Sequence, residues 1–258
     1  MNYKAKIKNA LLEQKGIFLT KATPPKSVQD FIDRFRTHYI ATDLIRIGGE
    51  GDGGYLLPNI LDRVTHCFSP GVSHVADFEA ELSQKYSIKS FLADASVTEA
   101  PLADPNFTFI PKFLGSRTDG QLITLSDWMA DSLDGSEDQL ILQMDIEGGE
   151  FDVLTSEDSS TLARFSVAII EFHRMERLFD AHFLRTVSAM FDKLYQNFSI
   201  CHAHPNNCCG IKSINGVEIP SVFEVTFLRN DHARRLHQNR SIQLPHPLTA
   251  RTPYRKKI

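Results

Sequence analysis

Apolar residues along this chain come in two rhythms. Compact runs at 64–69, 88–93, 107–110, 140–144 and 165–170 are rich in Val, Ile, Leu and Phe. Such runs suit strands buried on both faces of a sheet. Between them the spacing becomes helical. Val75, Phe78, Leu82 and Tyr86 recur at helical intervals, residues 122–133 suit a short helix capped by Thr124 or Ser126, and Phe183, Leu184, Val187, Met190, Phe191 and Leu194 form a helical stripe. Strands and helices that alternate predict a mostly parallel sheet with helices on both faces. Runs at 198–203 and 222–228 lack a clear helix between them and carry an Asn215-Gly216 turn. They read as an antiparallel hairpin at the sheet edge.

The pattern is looser at the ends. Residues 1–43 read as a helical extension. Ala10, Leu11, Ile17 and Phe18 are apolar without firm periodicity, Pro24-Pro25 breaks the chain, and Ser27 suits an N-cap for a helix presenting Phe31, Ile32 and Phe35. Residues 44–230 form the main domain. From Asp231 to the end the chain reads as an aperiodic surface tail. Residues 48–54 hold five glycines around Asp52. Glycine there permits a tight hairpin turn or a loop lying against a ligand, and no Gly-Lys-Ser/Thr follows to make a phosphate loop.

Composition narrows the class. The chain has 258 residues, 42% of them hydrophobic, enough for one large core. A net charge of −4 gives no basic field for nucleic acid. No apolar run is long enough to span a bilayer, and the N-terminal sequence makes a poor signal peptide. Cys67, Cys201, Cys208 and Cys209 do not make a secreted-style framework. A cytoplasmic protein without nucleic-acid or membrane partners is expected, its oligomeric state open, a dimer included.

Candidate chemistry gathers where strands end, which is where open α/β sheets bind ligands. Gly71 and Ser73 follow the first strand, where a backbone can approach a nucleotide-like group. Asp94 ends the second strand about 20 residues on, placed to accept hydrogen bonds from ribose hydroxyls. The glycine pattern is too thin for a pyrophosphate fingerprint. Asp77, Glu79, Glu81, Asp145 and Glu147 make the surroundings acidic, which disfavours a dinucleotide and suits the sulfonium and ammonium of S-adenosylmethionine. An NAD-linked enzyme is the alternative on the same fold, and a non-catalytic binding domain is a third reading. Asp145 ends the fourth strand and is expected to face the chemistry. Glu147 borders it, and Glu150 suits the first turn of the next helix. Just past the fifth strand, Glu171 and His173 are candidates for the general base that deprotonates a hydroxyl. Asp145 and Glu171, with His173, are alternatively ligands for a divalent metal. Residues 201–209 match no zinc-knuckle spacing, and His204, Asn206 and Asn207 are expected at the substrate mouth.

These residues resemble a known family. Residues 144–154, Met-Asp-Ile-Glu-Gly-Gly-Glu-Phe-Asp-Val-Leu, are similar to the Asp-Ile-Glu-Gly signature of FkbM-type methyltransferases. Asp52-Gly53-Gly54-Tyr55, Phe68-Ser69-Pro70-Gly71-Val72 with Asp77-Phe78-Glu79, and Ile169-Ile170-Glu171-Phe172-His173 look like further elements of a related branch. The likeness covers roughly residues 44–230. It departs from the usual pattern at Ser69-Pro70 before Gly71, and at Ala95-Ser96 after Asp94. It implies a Rossmann-like class I methyltransferase fold of seven strands, with S-adenosylmethionine as donor and a small-molecule or carbohydrate hydroxyl as acceptor. On that reading Gly71, Ser73, Asp94, Asp52, Asp145 and Gly115 hold the cofactor, with Gly115 bordering the adenine. Asp145, Glu171 and His173 serve catalysis.

Overall fold

The computed structural model describes residues 12, 14–15, 22–51, 53–135, 137–206 and 209–239. The readings at Ala10, Leu11, Ile17 and Phe18, at Asp52 and at Asn207 lie outside the described residues.

In chain order the elements begin with α1 (Pro25–Thr37), β1 (Leu44–Gly48), β2 (Gly54–Pro58), β3 (His66–Pro70), α2 (Asp77–Tyr86), β4 (Lys89–Ala93) and β5 (Phe107–Ile110). Two short strands follow, β6 (Phe113–Leu114) and β7 (Leu122–Ile123), then α3 (Leu125–Ser132), β8 (Leu140–Met144), α4 (Glu150–Ser156), α5 (Ser159–Leu162) and β9 (Phe165–Phe172). The chain continues through α6 (Ala181–Asn197), β10 (Phe198–Pro205), β11 (Ile211–Ile214), β12 (Val217–Pro220), β13 (Phe223–Arg229) and α7 (Asn230–Leu236).

Seven strands form the central sheet, in the order β10-β13-β9-β8-β3-β4-β5. β3, β4, β5, β8 and β9 are parallel to one another, and β13 is antiparallel to both β9 and β10. Every residue of β8 and β9 is buried, as continuous apolar strands require when helices cover both faces. Side chains of a strand point alternately to the two faces. Leu140, Leu142, Ala168, Ile170 and Phe172 accordingly join one core with α1, α3, α4 and α6. Ile141, Val167 and Ile169 join another with the β1–β2 hairpin, α2 and α7.

Several expectations shift. α1 begins at Pro25 with no side-chain cap, so Ser27 lies inside the helix; proline suits the first helical position because its missing N–H would be unpaired there anyway. Glu171 lies inside β9, which runs two residues further than expected, because β13 pairs with it as far as Phe172. Asn215-Gly216 does not join the two closing strands. It turns a smaller inserted hairpin, β11–β12, with both residues at positive φ, as a type I′ turn needs. The expected tail opens instead as helix α7, anchored by buried His232 and Ala233. No helix among the described residues is long and apolar enough to cross a membrane.

Candidate active site

Two loops meet at the carboxyl ends of the central strands. β3 ends at Pro70, whose carbonyl accepts from Asp145 N at 3.3 Å. Gly71 follows with φ +86°, and a Cβ there would lie 1.6 Å from the Asp145 carbonyl oxygen. Only glycine fits both the conformation and the space. Gly71 N in turn donates to Ala93 O at 2.9 Å, so the loop is tied to the end of β4 as well.

Beside this junction lies a cavity of about 590 Å³, within the range of small-ligand sites. Gly71, Ser73, Asp94, Asp145 and Glu147 line it, as expected of the strand ends. Asp94 is buried and accepts from Ser73 N at 2.9 Å and Ser96 N at 2.7 Å. It therefore shapes the loops that border the cavity as well as facing it. Gly115 is not a lining residue: its N donates to Ile123 O, and the β6–β7 pairing turns it against Leu122. Phe113 and Leu114 line the cavity in its place. Phe113 and Val75 are large apolar side chains left 43% and 47% exposed at this mouth. The glycine-rich stretch is a hairpin turn, and its Gly53 and Tyr55 also line the cavity.

A buried polar chain backs the cavity. Gln143 Nε2 donates to the Tyr55 hydroxyl at 3.0 Å, and Ser69 Oγ lies 2.6 Å from Gln143 Oε1. Ser69 Oγ also bonds the Glu79 carboxyl. A hydroxyl has one proton to donate, so with Gln143 in this orientation a protonated Glu79 completes the chain. Burial raises the Glu79 pKa to about 7, with the Ser69 hydrogen bond opposing and Asp77 adding to the rise. Sequence reasoning treated Glu79 as general acidity and missed this network, because Tyr55, Ser69 and Gln143 reach it from three separate strands.

On the other side of Asp145 the predicted catalytic residues come together. His173 Nδ1 lies 2.8 Å from Glu150 Oε1. Its Nε2 lies 3.6 Å from Asp145 Oδ1, 3.5 Å from Glu147 Oε2 and 3.7 Å from Glu171 Oε1. Burial pulls the His173 pKa down, but the hydrogen bond and charge of Glu150, with Asp145 and Glu171, outweigh it and raise it to about 9. Asn206 Nδ2 donates to Glu171 Oε1 at 3.1 Å, which puts Asn206 at the cluster. Glu150 does open α4, as a dipole partner should, yet it is fully buried and also accepts from Gly148 N at 3.0 Å. Its hold on His173 was not anticipated. Neither His173 nor Glu171 lines the large cavity; Asp145 and Glu147 connect the two regions. Cys201 is a buried free thiol directed at Thr226 O, so it belongs to the core.

A sheet of this strand order, with a glycine turn after its first strand and acids at the ends of its second and fourth, defines a Rossmann-like class I methyltransferase fold. Residues 63–201 match the methyltransferase FkbM domain, and the chain belongs to that family. No curated protein matches the chain. Among solved structures it is similar to a precorrin-6y C5,15-methyltransferase from Geobacter metallireducens, at 10% identity and TM-score 0.34, covering 64% of this chain and 81% of that one. A fibrillarin/Nop5p complex gives 9% identity and TM-score 0.39, covering 73% and 94%. Methanococcus jannaschii fibrillarin gives 10% identity and TM-score 0.37, covering 73% and 82%. No functional assignment rests on these distant structures. Family membership makes the protein a methyltransferase and implies S-adenosylmethionine. The residues fit that donor: Gly71 and Ser73 line the cavity, and a buried carboxylate, Asp94, stands just past the end of β4.

Proposed function

We propose that this protein is an S-adenosylmethionine-dependent O-methyltransferase acting on a hydroxyl of a small molecule or sugar. The observation that carries the reading is the Asp145, Glu171 and His173 cluster, joined through Asp145 to the glycine-bordered cavity. A methyl acceptor must lose a proton, and the donor must lie within reach of it. In this reading Gly71 and Ser73 border the methionine part of the cofactor and Asp94 faces the ribose. Phe113 and Leu114 border the adenine, and Asp145 stands between sulfonium and acceptor. The bound donor supplies an electrophilic methyl group, so that the new oxygen–carbon bond forms as the carbon–sulfur bond breaks and a neutral thioether leaves. In this reading a carboxylate of the cluster takes the acceptor's proton.

Calorimetric titration with S-adenosylmethionine tests the cofactor half. Micromolar binding is expected for the wild type, weakened at least tenfold in Asp94→Asn. Absence of binding to the wild type, or equal binding to both, overturns these assignments. Methyl-labelled donor offered with a panel of sugars and hydroxylated metabolites tests the acceptor half. Label recovered only on nitrogen or carbon acceptors rejects O-methylation.

A further inference from the structure

At the ends of β8 and β9 three side chains turn their ligand atoms toward one point. A carboxylate oxygen of Asp145, one of Glu171 and a ring nitrogen of His173 all lie within 4.8 Å of one another. The two nitrogens of His173 are held differently. Nδ1 makes a short hydrogen bond of 2.8 Å to Glu150. Nε2 has three carboxylate oxygens around it, at 3.5, 3.6 and 3.7 Å. None is as close as the roughly 2.7–2.9 Å of a charge-assisted N–H···O bond. The spacing instead suits atoms that share an ion. Two ligand atoms about 2.2 Å from a cation, at an angle of about 110°, lie about 3.6 Å apart.

The surroundings support the same conclusion. Glu150 is fully buried, and its second oxygen has no hydrogen-bond partner among the described residues. A buried carboxylate that fixes one imidazole nitrogen and leaves the other aimed at further ligands is the usual outer shell of a metal-bound histidine. Asn206 Nδ2 donates to Glu171 Oε1, the oxygen that faces His173 Nε2, and so fixes its position. Four carboxylates surround one imidazole.

We propose that Asp145, Glu171 and His173 Nε2 bind a divalent cation, with Glu150 as the positioning residue that orients His173. Carboxylate oxygens suit hard ions and imidazole suits softer ones, and manganese(II) accepts both. The inference rests on the methyl-transfer reading for its purpose, though not for the binding itself. A cation here takes the acceptor's hydroxyl oxygen in an open position and lowers its pKa. Glu147, whose side chain is 87% exposed, offers the released proton a route to solvent.

The test uses the full chain, stripped with chelator and titrated with manganese chloride, with bound metal counted by electron paramagnetic resonance. One equivalent is expected per chain. His173→Gln and Glu171→Gln are expected to weaken binding at least tenfold, and Glu150→Gln by about 10–100-fold. S-adenosylmethionine binding without metal, measured on each variant, checks that it is folded, since neither His173 nor Glu171 lines the large cavity. No bound manganese in the wild type overturns the proposal. So does manganese bound equally by every variant, which marks adventitious binding to surface acids. A chain that binds the methyl donor but no manganese loses only the cation site. One that binds manganese but no donor retains the site and loses the methyl-transfer reading.

Discussion

The fold controls the charge of Glu79 through burial. Burial favours its neutral form and raises its pKa from 4.5 to about 7. An acid with a raised folded pKa contributes stability that is fully present below its unfolded pKa and is lost as pH rises through the folded one. Here that window runs from about pH 4.5 to about pH 7. Glu79→Gln keeps the shape and removes the titration. The unfolding free energy of the wild type is therefore expected to fall relative to Glu79→Gln between pH 5 and pH 8, by about 2.5 kcal/mol. Urea melts of both proteins at the two pH values measure it, and a constant difference rejects the assignment. Residue positions were legible where the chain turns at a strand end. Gly71, Ser73, Asp94 and Asp145 all border the cavity the sequence pointed to. Partnerships were not legible: Glu150 meets His173 from 23 residues away, and nothing in local spacing announces it. Gly115 itself does not line the cavity, and its neighbours Phe113 and Leu114 do, because a β6–β7 pairing of only two residues on each strand turns it aside.

At the scale of elements, pattern and geometry agree best for β8, inside the sheet, and β5, at its edge. Residues 107–110 and 140–144 begin and end as β5 and β8 do, and the continuous burial of β8 leaves no other register for it. Thr124 caps α3, its side chain accepting from Asp127 N. Polar elements escaped notice. α7 buries little beyond His232 and Ala233, too little for a hydrophobic stripe. Elements are also joined by single side chains. Lys193, on α6, donates to the carbonyls of Leu154, Thr155 and Glu157 at the end of α4. The last carbonyls of a helix have no partner within it, so Lys193 caps one helix from another. Lys193→Met keeps the aliphatic stem and removes the donors. It is expected to cost about 2 kcal/mol, seen as a lower urea midpoint with unchanged slope. An unchanged midpoint shows that water replaces the lysine without loss.

At the scale of the whole molecule, the order of the sheet brings sequence-distant loops into register. β3 lies between β4 and β8, so the loop after it touches the acid of the second strand on one side and that of the fourth on the other. The alternation of strands and helices announced the parallel sheet. The edge hairpin followed from the missing helix between the last two runs, although the inserted β11–β12 pair was not foreseen. Gly71 sits where the loops converge, and Gly71→Ala is expected to cost about 2–4 kcal/mol, because strain and a clash with backbone coincide. Thermal melts measure this, and a loss under 1 kcal/mol shows that the loops separate easily.

The contact at Gly71 also limits what mutation can repair. When a new methyl group strikes a side chain, a second substitution can shorten that side chain and restore the fit. Here it strikes the carbonyl oxygen of Asp145, an atom every amino acid carries. Replacing Asp145 changes the side chain and leaves the obstacle in place. A search for second-site revertants of Gly71→Ala should return reversion to glycine, or changes in loop length, and no compensating partner. The position is one that descent can keep or lose but cannot trade.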